Sequence, residues 1–329
     1  MTINPTRRQL LPMPLALVAA LHPGGTFAQS AYPTKPIKIL VGFAPGGFTD
    51  VAARMVGQRL SASLGQPVVI ENRPGANGLI ASDATAQAAP DGYTLFLSSL
   101  GLTTNPLLMD RVNYDPVKGF TPISLLAMVP NVLVVHPAVA AKNLAELLAL
   151  ARSRKTPFTQ ASAGNGSPGH LSGALLQAMT KIHMDHVPYK GSGPAMTDLI
   201  GGHVDLSFPT IPTALAQVRS GRLRAIAVTG AKRSPLTPEV PTIAEAGVPG
   251  YDTGGWYGLV APPGLPREIA NLLSTEVVKI MTMQDVRERF IAEAADPVGS
   301  NGAEMGDFLA RDFKRWTDVV KVANIKPST

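Results

Sequence analysis

Two glycine-rich turns carry the residue types best suited to binding an anion. The first, residues 43–50, reads FAPGGFTD, and the second, residues 162–170, reads SAGNGSPGH. Each turn follows a β-branched run and leads into a helical pattern, where free N–H groups and the positive end of the helix dipole favour negative charge. Glycine also lets a ligand approach the backbone closely. The turns predict two halves of an anion site, although Thr49 or Asp50 could instead simply cap the first helix.

The second turn also satisfies the G-x-G-x-x-G spacing of a dinucleotide site, through Gly164, Gly166 and Gly169. Such a site needs an acidic residue about 20 residues further on to bind the ribose. Counted from Gly169, the nearest downstream acids, Asp185 and Asp198, lie 16 and 29 residues away and so miss that spacing, and Pro168 also stiffens the turn. A nucleotide cofactor is therefore not predicted.

A third strand-to-helix turn, residues 187–194, contains Lys190. Its ammonium group could supply a positive charge to a ligand, or it could be a solvated loop lysine. Further along the chain, Asp205 is expected to orient neighbouring loops by accepting backbone N–H bonds.

The chain lacks the common arrangements of catalytic residues. It has no serine in G-x-S-x-G, no H-E-x-x-H and no cysteine. Ser167 and His170 could be read as a nucleophile and a base, but at a helix start the same pair also suits ligand contacts or capping. His183 and His186 fall on opposite faces of a predicted strand, which disfavours a metal site. Catalysis, a metal and a cofactor are not predicted.

The elements that must position these turns alternate along the chain from residue 36 onward. Short β-branched runs and amphipathic helical patterns follow one another, which is typical of βαβ units and predicts a mostly parallel sheet. The first predicted unit has strands at 37–43, 67–71 and 93–98 and helices at 50–60 and 79–88. The second has helices at 144–151 and 171–182 and strands at 158–161 and 184–189, with further elements at 197–200, 204–208, 213–219 and 223–228.

Two segments, near residues 125–135 and 250–260, cross between a middle lobe and an outer lobe built by both ends of the chain. A strand at 256–260 and a helix with Pro266 at its first position return the chain to the outer lobe. Such a double crossing predicts a hinge.

The N-terminus has the three parts of a secretory signal. Arg7 and Arg8 precede an apolar run over residues 10–21, and a small-residue cleavage site ends at Ala28. The run is shorter than the ~20 residues that span a bilayer, so cleavage near Ala28 and export to the periplasm are expected. The arginine pair leaves both the general and the twin-arginine export routes open.

Charge and composition argue against a nucleic-acid partner. Removing residues 1–28 takes two of 29 basic residues and no acid, which leaves a net charge of +4. The basic residues are scattered and aromatic residues make up only 5% of the chain, so nucleic-acid binding is not predicted. A weak positive field suits small anions better.

A series of motifs gives the chain a resemblance to the substrate-binding proteins of tripartite tricarboxylate transporters, the Bug family. The motifs lie at residues 33–39, 43–50, 71–78, 90–95, 105–106, 114–116, 161–171, 187–194, 201–205, 240–242 and 256–258. Each alone is weak, but their order along nearly the whole mature chain is specific.

The resemblance implies an α/β, two-lobed periplasmic binding protein of the Venus flytrap, type II-like kind, with two crossing hinge segments. Lobe 1 would comprise residues 29–130 and 254–329, and lobe 2 residues 131–253. The lobes would close on a small organic carboxylate for uptake by a membrane permease, and we expect a monomer. A periplasmic subunit that presents the carboxylate to a membrane signalling protein is the alternative, and an enzyme acting on a carboxylate is a third interpretation.

The same resemblance implies the ligand contacts. They are Phe43, Pro45, Gly46, Gly47, Thr49, Asp50, Asn77, Ser98, Ser99, Ser162, Gly164, Ser167, His170 and Lys190. Phe48 is bulkier than the residue often found at its position in the family, so the size of the pocket stays open.

Overall fold

The computed structural model describes residues 1–2, 32–189, 191–322 and 325. The expected signal segment and Lys190 therefore lie outside the described residues. Residues from Pro33 onward form one compact unit. Within the described part of the chain, no helix is both long and apolar enough to cross a membrane.

The described strands form two separate sheets. In chain order the strands are β1 Ile37–Val41, β2 Val68–Asn72, β3 Thr94–Ser99, β4 Thr121–Pro130, β5 Val132–Val135, β6 Phe158–Ser162, β7 Met184–Pro188, β8 Leu206–Ser207, β9 Arg224–Val228, β10 Gly254–Ala261 and β11 Asp296–Pro297. One sheet has the order β11-β4-β10-β3-β1-β2, and the other has the order β7-β6-β8-β5-β9. We call each sheet with its helices a lobe, the first and the second respectively.

Helices connect these strands and cover the sheets. They are α1 Phe48–Leu64, α2 Leu79–Ala86, α3 Gly101–Leu108, α4 Leu144–Ser153, α5 Pro168–Thr180, α6 Ser192–Ile200, α7 Ile211–Arg219, α8 Arg267–Thr282, α9 Gln284–Ala292 and α10 Gly302–Val322. A 3₁₀ turn at Ala76–Gly78 precedes α2.

The two lobes repeat one topology that sequence comparison within the chain does not reveal. In the first lobe, β1 lies between β2 and β3 and is parallel to both. In the second, β6 lies between β7 and β8 and is parallel to both. In both lobes a helix follows each of these three strands. The carboxyl ends of three parallel strands, and the helix starts that follow them, therefore gather at one edge of each sheet.

The prediction of mostly parallel sheets is wrong beyond these three-stranded units. In the first lobe β10 pairs antiparallel with β3 and β4, and β11 pairs antiparallel with β4. In the second lobe β5 pairs antiparallel with β8 and β9. Strand β10 enters the first sheet, and strand β5 the second, directly from the other lobe. Each of these two strands runs antiparallel to the three-stranded parallel unit that it joins.

The two lobes are joined where β4 passes into β5 and where the chain returns before β10. Asn131 separates β4 from β5, and its backbone N–H donates to Thr229 Oγ1 at 2.8 Å. Thr229 N–H donates to Asn131 O, and Thr253 N–H donates to Thr229 O, each at 2.9 Å. All three residues are buried. The crossing segments are thus tied together by backbone hydrogen bonds, as a common hinge axis requires.

A buried carboxylate fixes the C-terminal helix α10 to the rest of the first lobe. Asp312 is 2% exposed and accepts hydrogen bonds from Thr103 Oγ1 at 2.7 Å and from Trp256 Nε1 at 3.0 Å. It also accepts from Arg315 Nη2 at 2.6 Å and from Trp316 Nε1 at 3.1 Å. Since Thr103 belongs to α3 and Trp256 to β10, this carboxylate joins α3 and a hinge strand.

Candidate functional site

The first turn connects β1, the middle strand of its parallel unit, to α1. Gly47 is the N-cap of α1 and has no side chain to cap it, so the alternative in which Thr49 or Asp50 is the cap is wrong. Pro45, Gly46 and Gly47 are exposed, and Gly46 has a φ of +92°, which glycine adopts without strain. The turn therefore presents backbone and a helix start rather than side chains to solvent.

Asp50 braces this turn from behind. Its side chain is 5% exposed, and its Oδ2 accepts from Gly46 N–H at 3.1 Å and from Arg54 Nε at 2.9 Å. Its Oδ1 accepts from Arg54 Nη2 and Asn72 Nδ2, both at 3.0 Å. The hydrogen bond from Arg54 leads the interactions that hold the Asp50 pKa below its usual value. Asn72 Nδ2 also donates to Phe43 O at 3.0 Å, so both ends of the turn are held.

The aromatic side chain that follows the turn packs into the first lobe. The Phe48 ring contacts Tyr257 at a centroid distance of 4.8 Å and Phe290 at 5.5 Å, both edge to face. Thr49 is buried and hydrogen-bonds Tyr257, whose pKa is raised by burial. These contacts make Phe48 a packing residue of the first lobe and leave the backbone of the turn accessible.

The turns after β2 and β3 lie beside the first turn. Asn77, with a φ of 52°, donates from Nδ2 to Asn105 Oδ1 at 3.0 Å, and Asn105 Nδ2 returns a bond to Asn77 O at 3.2 Å. Ser98 is fully buried and donates to Gly258 O at 2.8 Å, while Ser99 is half-buried. Asn77 and Ser98 thus already have protein partners, whereas Ser99 stands at the accessible end of β3.

The starts of α1, α2 and α3 all meet this edge of the first lobe. Their N-cap residues are Gly47, Gly78 and Leu100, and none of these three supplies a side-chain cap within the described structure. Because the first N–H groups of a helix have no intrahelical partner, those at the starts of α1 and α3 are available to water or to an anionic ligand, whereas Leu79 N–H at the start of α2 donates to Ala76 O.

The second turn has the same place in the second lobe, between the middle strand β6 and α5. Ser167 is the N-cap of α5 and its Oγ accepts from His170 N–H at 3.4 Å. Ser162 Oγ accepts from Gly164 N–H at 3.1 Å, and Gly164 has a φ of +133°. The turn is thus shaped by hydroxyl groups of its own residues.

Two stacked imidazoles lie behind this turn. The rings of His170 and His186 are 3.8 Å apart and 14° from parallel. His170 Nδ1 accepts from Gly166 N–H at 3.1 Å, and His186 Nε2 lies 2.6 Å from Ser162 Oγ. Burial, with a smaller contribution from His186, lowers the pKa of His170 to about 3, and burial lowers that of His186 to about 4. Both rings are therefore neutral at physiological pH.

A cavity of about 80 Å³ opens in front of the second turn. Its lining residues are Asn131, Ser162, Ala163, Ser167, Pro168, Gly169, Ser192, Ala195, Met196, Ser207, Phe208, Pro209 and Thr210. These residues are all uncharged, and they include the starts of α5, α6 and α7. The N-caps of α6 and α7, Gly191 and Thr210, make no side-chain cap in the described part of the chain. The cavity offers hydroxyl groups and helix starts to a ligand.

The structure brings some of the expected contacts together and separates others. Ser162 and Ser167 line the cavity, whereas His170 lines a different cavity on the far side of the turn. No residue of the 43–50 turn lines the cavity in front of the second turn. The second turn nevertheless approaches the first lobe, because a Cβ at Gly166 would lie only 2.9 Å from Leu108 at the end of α3.

Asp205 and His186 are two polar residues outside the glycine turns for which the sequence makes a prediction. Asp205 accepts a backbone N–H bond as predicted, from Thr159 to its Oδ2 at 2.8 Å, but Thr159 lies in strand β6 rather than in a loop. His186 was predicted only to lie opposite His183 on a strand, and its contact with Ser162 was missed. The strand period indicated which face His186 occupies but not which residues of the neighbouring elements lie there.

Comparison with known proteins identifies the family. The profile of the "Tripartite tricarboxylate transporter family receptor" matches residues 52–325. Protein BugT of Bordetella pertussis is 39% identical over 301 residues, which cover 91% of this chain and 92% of BugT.

Solved structures of similar sequence share the fold. "R. palustris Rpa4515 with adipate" is 38% identical with a TM-score of 0.77, over 90% of this chain and 100% of that one. "MatC (Rpa3494) from Rhodopseudomonas palustris with bound malate" is 35% identical with a TM-score of 0.72, over 88% and 100%. "Periplasmic binding protein BugD" is 32% identical with a TM-score of 0.74, over 90% and 100%. The two-lobed periplasmic binding protein fold is thereby confirmed, and the chain belongs to the tripartite tricarboxylate transporter receptor family, which is a family of substrate-binding receptors and includes the Bug proteins.

Proposed function

We propose that this chain captures a small organic carboxylate between its two lobes for uptake by a tripartite tricarboxylate-type transporter. The observation that carries the proposal is the matching edge of each lobe, where helix starts without side-chain caps meet a glycine turn, exposed at Gly46 and Gly47 in the first lobe and half-buried at Gly164 in the second. Solved relatives with adipate and with malate support a carboxylate ligand. The uncharged lining of the second-lobe cavity supports recognition by N–H groups, hydroxyl groups and water.

The expected site residues divide into direct contacts and supports. We assign direct contact to Ser162 and Ser167, which line the cavity, to the exposed or half-buried Phe43, Pro45, Gly46, Gly47, Ser99 and Gly164, and to Lys190, which lies outside the described residues. We assign a supporting role to those that do not line the cavity and whose side-chain polar atoms already have protein partners, namely Thr49, Asp50, Asn77, Ser98 and His170.

The proposed mechanism is closure about the hinge. A carboxylate that contacts both turns binds the closed state more tightly than the open one, and this difference in affinity shifts the population toward closure. We propose residues 29–130 and 254–329 as one closing body and residues 131–253 as the other, since the sheets divide at Asn131 and before Gly254.

The remaining parts of the proposed function are the export of the chain and the delivery of its ligand. We propose cleavage near Ala28, a periplasmic location and transfer of the ligand to membrane permease subunits, as the family description suggests. Mass spectrometry of the secreted chain locates the first mature residue. Crosslinking of the loaded protein in membranes identifies the partner, and capture of a signalling protein instead of a permease would contradict the transport role.

A thermal-shift screen tests the ligand class. The mature chain is freed of co-purified ligand and heated with mono-, di- and tricarboxylates, including adipate and malate, with amino acids and aromatic acids as further carboxylates, and with sugars as controls. A ligand at 100 times its Kd adds about 2.7 kcal/mol to the free energy of unfolding, which raises Tm by several degrees for a chain of this size. Stabilisation by carboxylates alone is the expected result. Stabilisation by sugars, or by none of the acids, would contradict the proposal.

A further inference from the structure

The imidazole of His186 lies behind the second turn and takes no part in the contacts assigned above. The Nε2 atom of His186 lies 2.6 Å from the hydroxyl oxygen of Ser162. Ser162 in turn lines the cavity in front of the turn, so His186 contacts the ligand side only through this serine. The same hydroxyl oxygen accepts the N–H of Gly164. One serine thus connects the ligand cavity, the backbone of the turn and His186.

The second ring of the stack holds the other half of the turn. His170 Nδ1 accepts the N–H of Gly166 at 3.1 Å, so this nitrogen carries no proton. His186 covers one face of that ring at 3.8 Å. Two backbone N–H groups of the turn therefore depend, directly or through Ser162, on neutral imidazoles.

The hydrogen atom of the Ser162 hydroxyl has two candidate acceptors. Gly164 O lies 3.0 Å from Ser162 Oγ, and His186 Nε2 lies at the shorter distance of 2.6 Å. With Nε2 unprotonated, the hydroxyl donates to His186 and its oxygen remains an acceptor for Gly164 N–H. The position and direction of a cavity-lining hydroxyl are thereby determined by a ring that does not line the cavity.

We propose that His186 is a positioning residue for the second half of the ligand site, acting through the Ser162 hydroxyl and through its stack on His170. The proposal rests on the proposed function only in taking the cavity before the second turn as the ligand side. The geometry of the turn itself can be tested without any ligand.

The surroundings favour the neutral form of both rings. On their far side they line a cavity of about 520 Å³, which also contacts Lys181 at the end of α5, His183 before β7 and the apolar Val322 of α10. Asp185, the nearest acid in sequence, is paired with His183 at 3.1 Å. Strand β6 contributes no charged residue. No acid lines the far cavity among the described residues, so nothing there compensates a positive charge on the stack.

Protonation should therefore loosen the turn. A second proton on His170 occupies Nδ1 and turns the acceptor of the Gly166 N–H into a donor, which removes that bond. Two positive rings at 3.8 Å also repel each other. Acidification is expected to shift the Gly164 amide as His186 is protonated, near pH 4, and the Gly166 amide as His170 is protonated, near pH 3.

Three variants separate positioning from simple packing. His186→Gln places an amide oxygen where Nε2 was and cannot titrate, whereas His186→Phe keeps a stacking ring and removes the bond to Ser162. His183→Gln is the matched control, because that imidazole is 73% exposed and pairs with Asp185 outside the stack.

The first measurement is the pH titration of the amide resonances of Gly164 and Gly166 by nuclear magnetic resonance, without ligand. At neutral pH the expected order of similarity to the wild type is His183→Gln, then His186→Gln, then His186→Phe, and the acid-induced shift of Gly164 disappears in His186→Gln. If His186→Phe matches the wild type while His186→Gln does not, the ring acts only by packing and the proposal is overturned. Amide resonances that do not move between pH 7 and pH 3 would also overturn it.

The second measurement is adipate affinity at pH 7 by calorimetry. His186→Phe is expected to weaken binding about tenfold, the loss of one hydrogen bond to a binding group, while His186→Gln and His183→Gln stay within about twofold. Equal affinity of all variants overturns the proposal. If the wild type does not bind adipate, the most stabilising carboxylate of the thermal-shift screen takes its place, and the ligand-free titration still decides the role of His186.

Discussion

Replacing Asp50 by asparagine is expected to destabilise the chain by about 2 kcal/mol. The carboxylate is 5% exposed and accepts from Gly46 N–H, from Asn72 and twice from Arg54. Hydrogen bonds to a charged group contribute about 1.5–3 kcal/mol each when buried, but the Arg54 side chain is 55% exposed and its share is reduced by solvent screening. Asparagine keeps one acceptor oxygen and loses the charge. The expected loss of stability is therefore only a fraction of the summed contributions of these hydrogen bonds.

The matched control is Asp318→Asn. Asp318 pairs with Lys314 at the same helical spacing of four residues, but both side chains are more than 60% exposed. Exposed pairs of this kind contribute only about 0.3–0.5 kcal/mol. Both substitutions remove one negative charge from an ion pair at a spacing of four residues. The difference between their losses in the free energy of unfolding therefore measures the burial of Asp50 and its bonds to the turn.

Urea unfolding followed by circular dichroism measures both costs at pH 7. The lowered pKa of Asp50 means that its contribution is present above the unfolded value of 3.8 and is lost as the pH falls through the folded value. The gap between the wild type and Asp50→Asn should therefore narrow below pH 4. Equal losses for the two variants at pH 7, or a gap that does not narrow as the pH falls below 3.8, would refute the assignment of Asp50 as the brace of the first turn.

Three further predictions concern stability. Between pH 7 and pH 5 the free energy of unfolding in urea should fall by about 2 kcal/mol more in the wild type than in His186→Gln. The reason is that His186 binds a proton near pH 6.5 when unfolded but only near pH 4 when folded, and equal falls would argue against a neutral buried ring. Gly101→Ala should cost about 1–3 kcal/mol, since its Cβ would lie 2.3 Å from the backbone oxygen of Asn77, and an unchanged Tm would contradict that contact. Gly193→Ala, in α6 with open space around its Cβ, should instead be neutral or stabilise by up to about 1 kcal/mol; a lowered Tm would contradict this.

The sequence was most informative where local periodicity and turn chemistry agree. The strands and helices on either side of both glycine turns lie close to the predicted ranges, and the two lobes and the crossing near residue 131 follow from them. Helix α3 was missed because its sequence, GLTTNPLL, contains Pro106 and shows no amphipathic stripe. The antiparallel strands were misjudged because strand direction is decided by the return of the chain from the other lobe. Pro266 precedes α8 as its N-cap rather than starting it at the first position, a shift of one residue.

The candidate site was predictable in position but not in the roles of its side chains. Both turns were found from glycine spacing, since a backbone anion site needs those residues. Asp50 and His170 lie in the motifs whose resemblance implies ligand contacts, yet the structure gives their polar atoms protein partners. Such pairings, like that of His186 with Ser162, depend on which strands become neighbours, and local sequence does not encode this directly.

Two substitutions that fill the proposed ligand space, one in each lobe, test the central claim most directly. Gly47 has an ordinary φ of −80° and open space around its Cβ, so Gly47→Leu should fold. Ala163 is exposed and lines the second-lobe cavity, so Ala163→Leu fills that cavity without removing the cap of α5. Ala140→Leu, at an exposed loop position, is the control.

Calorimetric titration with the most stabilising carboxylate of the thermal-shift screen decides the outcome. The account predicts that both site variants keep the wild-type circular dichroism spectrum and lose at least about tenfold in affinity, or ~1.4 kcal/mol, while the control binds normally. Wild-type affinity in both site variants would contradict a ligand held between the two glycine turns.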